Sequence, residues 1–148
     1  VGSAERMNYS AVGDSVNLAS RLEAVNKIFR TSVIVSESTL RSAGDEFIYR
    51  PLGTVTVKGK LESVDIYELQ CEAADPQAAR VRRLAELSGQ CLRLYLDREW
   101  REAAEVFEAI MSEFPDDGPG AEYLRRCNQL AERSPGPDWD GVLRLDHK

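Results

Sequence analysis

"GDSVNLASRLEAVNKIF", residues 13–29, reads as a helix with two residues out of place. At about 100° per residue around a helical wheel, Leu18, Leu22, Val25, Ile28 and Phe29 fall on one side, with Ala24 at its edge. Ser15, Ser20, Glu23, Asn26 and Lys27 fall on the other. Asn17 and Arg21 land inside the apolar arc, one turn apart. At i, i+4 their side chains leave the same face. The ordinary account has Asn17 bonding backbone groups near the helix start and Arg21 snorkelling to an edge or pairing with a carboxylate. An unpaired charge turned toward a core is costly, however, and neither residue has a carboxylate four positions away. A face with both an amide and a guanidinium suits a site that holds an anion.

Composition bounds the rest. The chain has 148 residues, enough for one domain or two small ones. Its net charge of −6 argues against general nucleic-acid binding, which needs a basic footprint. A local basic site for a phosphate ligand is still allowed. Cys71, Cys91 and Cys127 make an odd set with no CxxC spacing, which predicts buried or idle thiols in a reducing compartment. His147, the single histidine, stands next to the C-terminal residue and speaks against a His-based catalytic site or a zinc centre. No apolar run approaches the roughly 18 residues of a membrane span, and no signal peptide is visible. The chain opens on Val1 and is expected to be a piece of a longer protein.

The character of the sequence changes near residue 72. Residues 1–72 read as mixed α/β. Strand-like runs occur at 9–12, 31–36, 47–49, 53–57 and 63–69. Asp14 or Ser15 can cap the helix at its start, and Ser36 can cap a short helical turn over 36–42. "VTVKGKLESVDIYEL", 55–69, looks like a hairpin turned through Gly59. "CEAADP", 71–76, reads as a linker. Helices follow at 77–96, 99–114 and 121–133, with "PDDGPG" at 115–120 as a break and "SPGPDWDG" opening an irregular tail. Trp100, Ala103, Ala104, Phe107, Ile110 and Met111 form a helical apolar stripe. Trp100, Ala103, Phe107 and Pro115 follow the spacing of the second helix of a tetratricopeptide repeat. Only about one and a half repeats fit, fewer than usually stand alone. A helical hairpin packed onto the α/β half is the equal alternative. Trp139, between two aspartates in the tail, is expected to dock back onto the helices or the α/β half.

Two segments carry a resemblance. "RMNYSAVGDSVNLASRLEAVNK", 6–27, closely resembles a segment of the class III nucleotide cyclases, and "LGTVTVKGKLESVDIYEL", 52–69, resembles the end of the same catalytic domain. The likeness covers roughly residues 1–70 and implies an α+β fold: the C-terminal portion of a ferredoxin-like cyclase domain over 1–72, followed by a helical, repeat-like extension over 73–148. The family converts a nucleoside triphosphate into a 3′,5′-cyclic monophosphate and pyrophosphate by in-line attack of the ribose 3′-oxygen on the α-phosphorus, assisted by two divalent metals, Mg²⁺ or Mn²⁺. By resemblance Arg21 stabilises charge at the α-phosphate and Asn17 orients the ribose. Ser10 stands where the family reads the base, and its hydroxyl can accept from the adenine amino group. Lys58 and Lys60 flank the Gly59 turn, and one of them, with Lys60 favoured, matches a lysine on the terminal phosphates.

Asp14 reads better as an N-cap than as a metal ligand, and Glu23 as a solvated or salt-bridged residue. The family's metal aspartates lie upstream of the matching stretch, so this chain alone is expected to be inactive. The family's site lies between two catalytic domains, which implies ATP as ligand, a second cyclase domain as partner in a homodimer, and a cytoplasmic location with any membrane contact through an upstream region. The alternatives are a non-catalytic cyclase-like module with a peptide-binding helical tail, and a guanylate cyclase, which Ser10 does not exclude.

Overall fold

The computed structural model describes residues 22–56 and 63–144. Among them are a helix over 22–29 (α1), strand Ile34–Ser36 (β1), helix Glu37–Ala43 (α2), strands Phe47–Thr56 (β2) and Ser63–Glu72 (β3), helices Ala78–Leu96 (α3), Trp100–Glu113 (α4) and Gly118–Glu132 (α5), and a two-residue strand Leu143–Arg144 (β4). The four strands form one mixed sheet in the order β1-β3-β2-β4. β3 is antiparallel to both β1 and β2, while β4 runs parallel to β2. The architecture is α+β, as the sequence predicts.

Local chemistry explains most boundaries. α1 buries Leu22, Val25 and Phe29 and exposes Glu23 and Lys27. Ile28, on the apolar side of the wheel, is 38% exposed. The helix ends with Arg30 in the left-handed region (φ 57°) and the Thr31 amide donating back to the Asn26 carbonyl at 3.0 Å, a Schellman closure without its usual glycine. Ser36 caps α2, its Oγ accepting from the Thr39 amide at 3.4 Å.

The two runs predicted at 47–49 and 53–57 are one strand. β2 passes through Pro51 by way of register shifts at Ile48/Tyr49 and Pro51/Gly53. Such bulges are where a strand tolerates a residue without an amide proton. Thr56 and Ser63 stand opposite each other, as a hairpin requires, while the Gly59 turn lies outside the described residues. α5 starts inside the segment expected to be a break. Asp117 caps it by accepting from the Gly120 amide at 2.8 Å, and Pro119 sits in the first turn, where its missing amide proton costs nothing.

One apolar core runs from α1 through the sheet into the three long helices. It joins Val25 and Phe29 to Leu52, Val55 and Ile66, and these to Cys91, Tyr95, Phe107, Ile110, Tyr123 and Cys127. Tyr123 is its centre. The ring stacks between Phe29 (5.3 Å) and Phe107 (5.6 Å), meets Tyr95 edge-on at 5.0 Å, and donates its hydroxyl to the Leu52 carbonyl at 2.6 Å. The α4 stripe of Trp100, Ala103, Ala104, Phe107 and Ile110 is buried within the same core. Trp139 docks onto the helices, edge-on to Tyr95 (5.2 Å) and Trp100 (5.3 Å), with Arg98 over its ring at 5.5 Å.

All three cysteines are free. Burial pushes the thiols of Cys91 and Cys127 up to about 12, so neither ionises near neutrality. Cys71 is half-buried. Titration of the folded chain with a thiol-specific reagent at neutral pH should therefore give one reacting thiol, and the other two only on adding denaturant. A second thiol reacting in the folded state would contradict the packing of α3 against α5.

Candidate functional site

Arg21, Asn17, Ser10, Lys58 and Lys60, and with them Asp14, lie outside the described residues. The structure shows the elements that carry the chain into and out of them. Leu22, the residue after Arg21, is buried at the start of the described part of α1. β2 ends at Thr56 and β3 begins at Ser63, on either side of the segment holding Lys58 and Lys60. In the chain, α1 follows Arg21, and β2 and β3 flank the segment that holds Lys58 and Lys60.

A buried charge network ties β2 to β3 and to the helices. Arg50, on β2 between Ile48 and Leu52, is 1% exposed. Its Nη1 and Nη2 donate to Asp117 Oδ1 (2.5 Å) and Oδ2 (2.6 Å), the two-pronged geometry that suits a guanidinium and a carboxylate. Nη1 also donates to Glu68 Oε1 at 3.2 Å, across the hairpin. Nε donates to Ser88 Oγ at 3.1 Å, and that hydroxyl donates to the Leu84 carbonyl at 2.7 Å. The arginine therefore reaches β3, α3 and the cap of α5 at once. Sequence reasoning alone does not single out Arg50 or Asp117. The available signal is an arginine at a core position of the alternating run Ile48, Arg50, Leu52.

Burial, the largest influence, pushes the Glu68 carboxyl above the ordinary carboxylate range, against the pull of Arg50. A carboxyl raised on folding holds more protons folded than unfolded. Its favourable share of stability is present at acid pH and is lost as pH rises through the folded value. Glu68→Gln removes that loss and leaves Asp117 to neutralise Arg50. At neutral pH its melting temperature should equal or exceed the wild-type value, with a change within about 4 °C. A larger fall would make Glu68 a net stabiliser of Arg50.

A separate cavity of about 610 Å³ opens beside α3, α5 and the tail, walled in part by Tyr95, Leu130 and Trp139, with Arg126 and Arg133 among its lining residues. Arg126 is held by Glu122 at 2.7 Å. Burial opposes ionisation of Glu122, but hydrogen bonds from Arg125 and Arg126 outweigh it and hold the carboxyl below its usual range. Of the residues singled out by the sequence, Trp139 is among its lining residues. Among the described residues no group of three or more His, Cys, Asp or Glu side chains is placed to hold a metal ion, and no helix is long and apolar enough to cross a membrane.

No protein-family model matches the chain, and no solved structure does. Curated proteins do. The chain is 35% identical over 133 residues to the terminal-differentiation-specific adenylate cyclase of Dictyostelium discoideum, a match covering 87% of this chain. It is 48% identical over 69 residues to adenylate cyclase 1 of Rhizobium meliloti and 37% identical over 73 residues to an adenylate cyclase of Anabaena cylindrica, each covering 47% of this chain. All three relatives are named adenylate cyclases. They support a cyclase family and a cyclase-related function for this chain. The chain spans 6%, 10% and 14% of these relatives' lengths. At 87% of the chain, the Dictyostelium match takes in α3 and α4 as well as the β2–β3 hairpin.

Proposed function

We propose that the chain is part of a class III adenylate cyclase: the C-terminal portion of the catalytic domain over residues 1–72, with a helical extension over 73–148. The observation that carries this reading is the similarity to three adenylate cyclases, joined to the presence of Asn17 and Arg21 four positions apart in the sequence. The substrate is ATP and the products are 3′,5′-cyclic AMP and pyrophosphate. The ribose 3′-oxygen forms a bond to the α-phosphorus as the bond from that phosphorus to the β-phosphate bridging oxygen breaks.

Each residue has one task. Arg21 places a fixed guanidinium against the charge that develops at the α-phosphate. Asn17, four positions earlier in the chain, orients the ribose. Ser10 accepts a hydrogen bond from the adenine amino group, and Lys60, with Lys58 beside it, holds the terminal phosphates. The partner is a second cyclase domain, which completes the site; the apolar residues Leu22, Val25 and Phe29 of α1 are buried in this chain's own core. Divalent metal, Mg²⁺ or Mn²⁺, supplies Lewis-acid chemistry in such a site. The family resemblance puts its ligands upstream of the matching stretch.

The test is an assay of the full-length protein with ATP and with GTP, in Mn²⁺, for cyclic AMP and cyclic GMP. Cyclic AMP from ATP is the expected result. Cyclic GMP alone would reassign the base contact at Ser10. A well-folded protein inert with both nucleotides would overturn the catalytic reading in favour of a regulatory module.

A further inference from the structure

We propose that the contact between the sheet and the start of α5 is a proton-operated latch, closed while Glu68 carries a proton and loosened when Glu68 is ionised. Nothing in the latch depends on nucleotide chemistry.

Three ionisable side chains meet where β2, β3 and α5 join, and their charges do not balance. The side chain of Arg50 is 1% exposed, that of Asp117 10% and that of Glu68 16%. One guanidinium therefore faces two carboxylates. With both carboxylates ionised, the cluster holds one uncompensated negative charge largely out of reach of bulk water, which is costly. With one proton added it is neutral. Asp117 accepts two hydrogen bonds from Arg50, at 2.5 and 2.6 Å, and one from the Gly120 amide at 2.8 Å. Glu68 accepts one from Arg50, at 3.2 Å. Hydrogen bonds to a carboxylate favour its charged form. Glu68, held by the fewer and longer bonds, is the group that takes the proton. Burial pushes its carboxyl up most strongly and Asp117 adds to that, while Arg50 and a hydrogen bond from Gln70 oppose. The neighbouring elements add no further charge to the cluster: β1 sets Ile34 opposite Glu68, and α3 brings Ser88 to Arg50.

The proton removes a charge and keeps the bond, because a neutral carboxyl still accepts through its carbonyl oxygen. Once ionised, Glu68 repels Asp117 and competes with it for Nη1, the nitrogen that both accept from. Arg50 and Glu68 stand opposite each other in the β2–β3 ladder. Asp117 reaches them from outside the sheet, at the cap of α5. The contact that yields to like-charge repulsion is therefore the one between the sheet and α5, not the hairpin. The sign follows from a carboxyl raised on folding. Its favourable share is complete below the ordinary glutamate range and is lost as pH rises through the folded value.

The experiment is amide hydrogen exchange in the full-length protein from about pH 4.5 to about pH 8, across the window in which a raised carboxyl titrates. Rates are corrected for the pH dependence of unstructured amides. In the wild type, protection over 117–123 should fall severalfold across that range, while protection over 64–70 of β3 holds. Glu68→Gln keeps an acceptor for Nη1 and cannot ionise, so its protection over 117–123 should stay level. Asp117→Asn leaves Glu68 as the single counter-charge of Arg50, so protection there should no longer fall with pH. Asp65→Asn alters a carboxylate of the same strand that bonds only Thr54 at the surface, and should follow the wild type.

An undiminished fall in Glu68→Gln would place the titrating group elsewhere and overturn the latch. An undiminished fall in Asp117→Asn would also overturn it, because burial of Glu68 would then act without the charge imbalance. Constant protection in the wild type would sink it outright, and an equal fall over β3 would mean general unfolding in place of a latch. Should Asp117→Asn fail to fold, the wild-type and Glu68→Gln profiles decide, together with whether β3 keeps its protection.

Discussion

Arg50→Ala is expected to destabilise the folded protein by about 3–5 kcal/mol, because it removes one partner of a buried pair and strands the other. Asp117 would keep its cap bond to Gly120 but lose both guanidinium hydrogens from a site where its side chain is only 10% exposed. Ser88 Oγ and Glu68 would lose a donor as well. Asp117→Ala should cost as much, with about 1 kcal/mol of the loss coming from the missing N-cap. The informative comparison replaces the whole cluster. Arg50→Met with Asp117→Leu and Glu68→Gln has similar volume and no stranded charge, and such replacements are often neutral or stabilising. Urea denaturation midpoints with unchanged slopes are the measurement. If Arg50→Ala costs less than about 1 kcal/mol, the network does not hold the helices to the sheet. If the triple variant is as unstable as Arg50→Ala, lost packing is the cause and not stranded charge.

Arg21→Ala carries the largest expected effect on activity. Removing one donor aimed at transition-state charge costs about 10²–10³ in kcat, near 3–4 kcal/mol. Because the guanidinium acts on charge that develops during the reaction, kcat should fall far more than KM rises. Arg21→Lys should recover only part of the loss, since an ammonium is a point charge without the planar fork. Initial rates of cyclic AMP formation by the full-length protein decide it. A rise in KM with kcat intact would make Arg21 a ground-state phosphate contact, and no change in either would remove it from the site.

What could be read from the sequence was local. The Ser36 cap, the helix through Val25 and Phe29, and the pairing that begins at Thr56 and Ser63 each depend on neighbours within a few positions. Departures came where a distant partner changes the meaning of a residue. Pro51 and Gly53 look like an interruption, yet the strand passes through them because bulges absorb both. "PDDGPG" looks like a break, yet Asp117 starts a helix there and Gly118 and Gly120 leave room for Phe29 and Met111. Nothing near Arg50 announces Asp117, 67 positions away. β4 is two residues long, and only its parallel pairing with Val55 and Thr56 defines it. For the candidate site, the sequence supplied the groups and a family resemblance supplied their tasks. The structure adds α1, β2 and β3, the elements next to those groups in the chain.

The docked tail has an optical consequence. The two tryptophans of the chain, Trp100 and Trp139, lie with ring centroids 5.3 Å apart and planes at 84°. Two indoles that close and that steeply inclined share their electronic excitation, so near-ultraviolet circular dichroism should show a paired band that neither ring produces alone. Because the second indole belongs to the tail, the band vanishes when the tail lifts, even with the sheet intact. The protein thus contains its own label-free reporter of whether the last stretch of chain is seated on the helices.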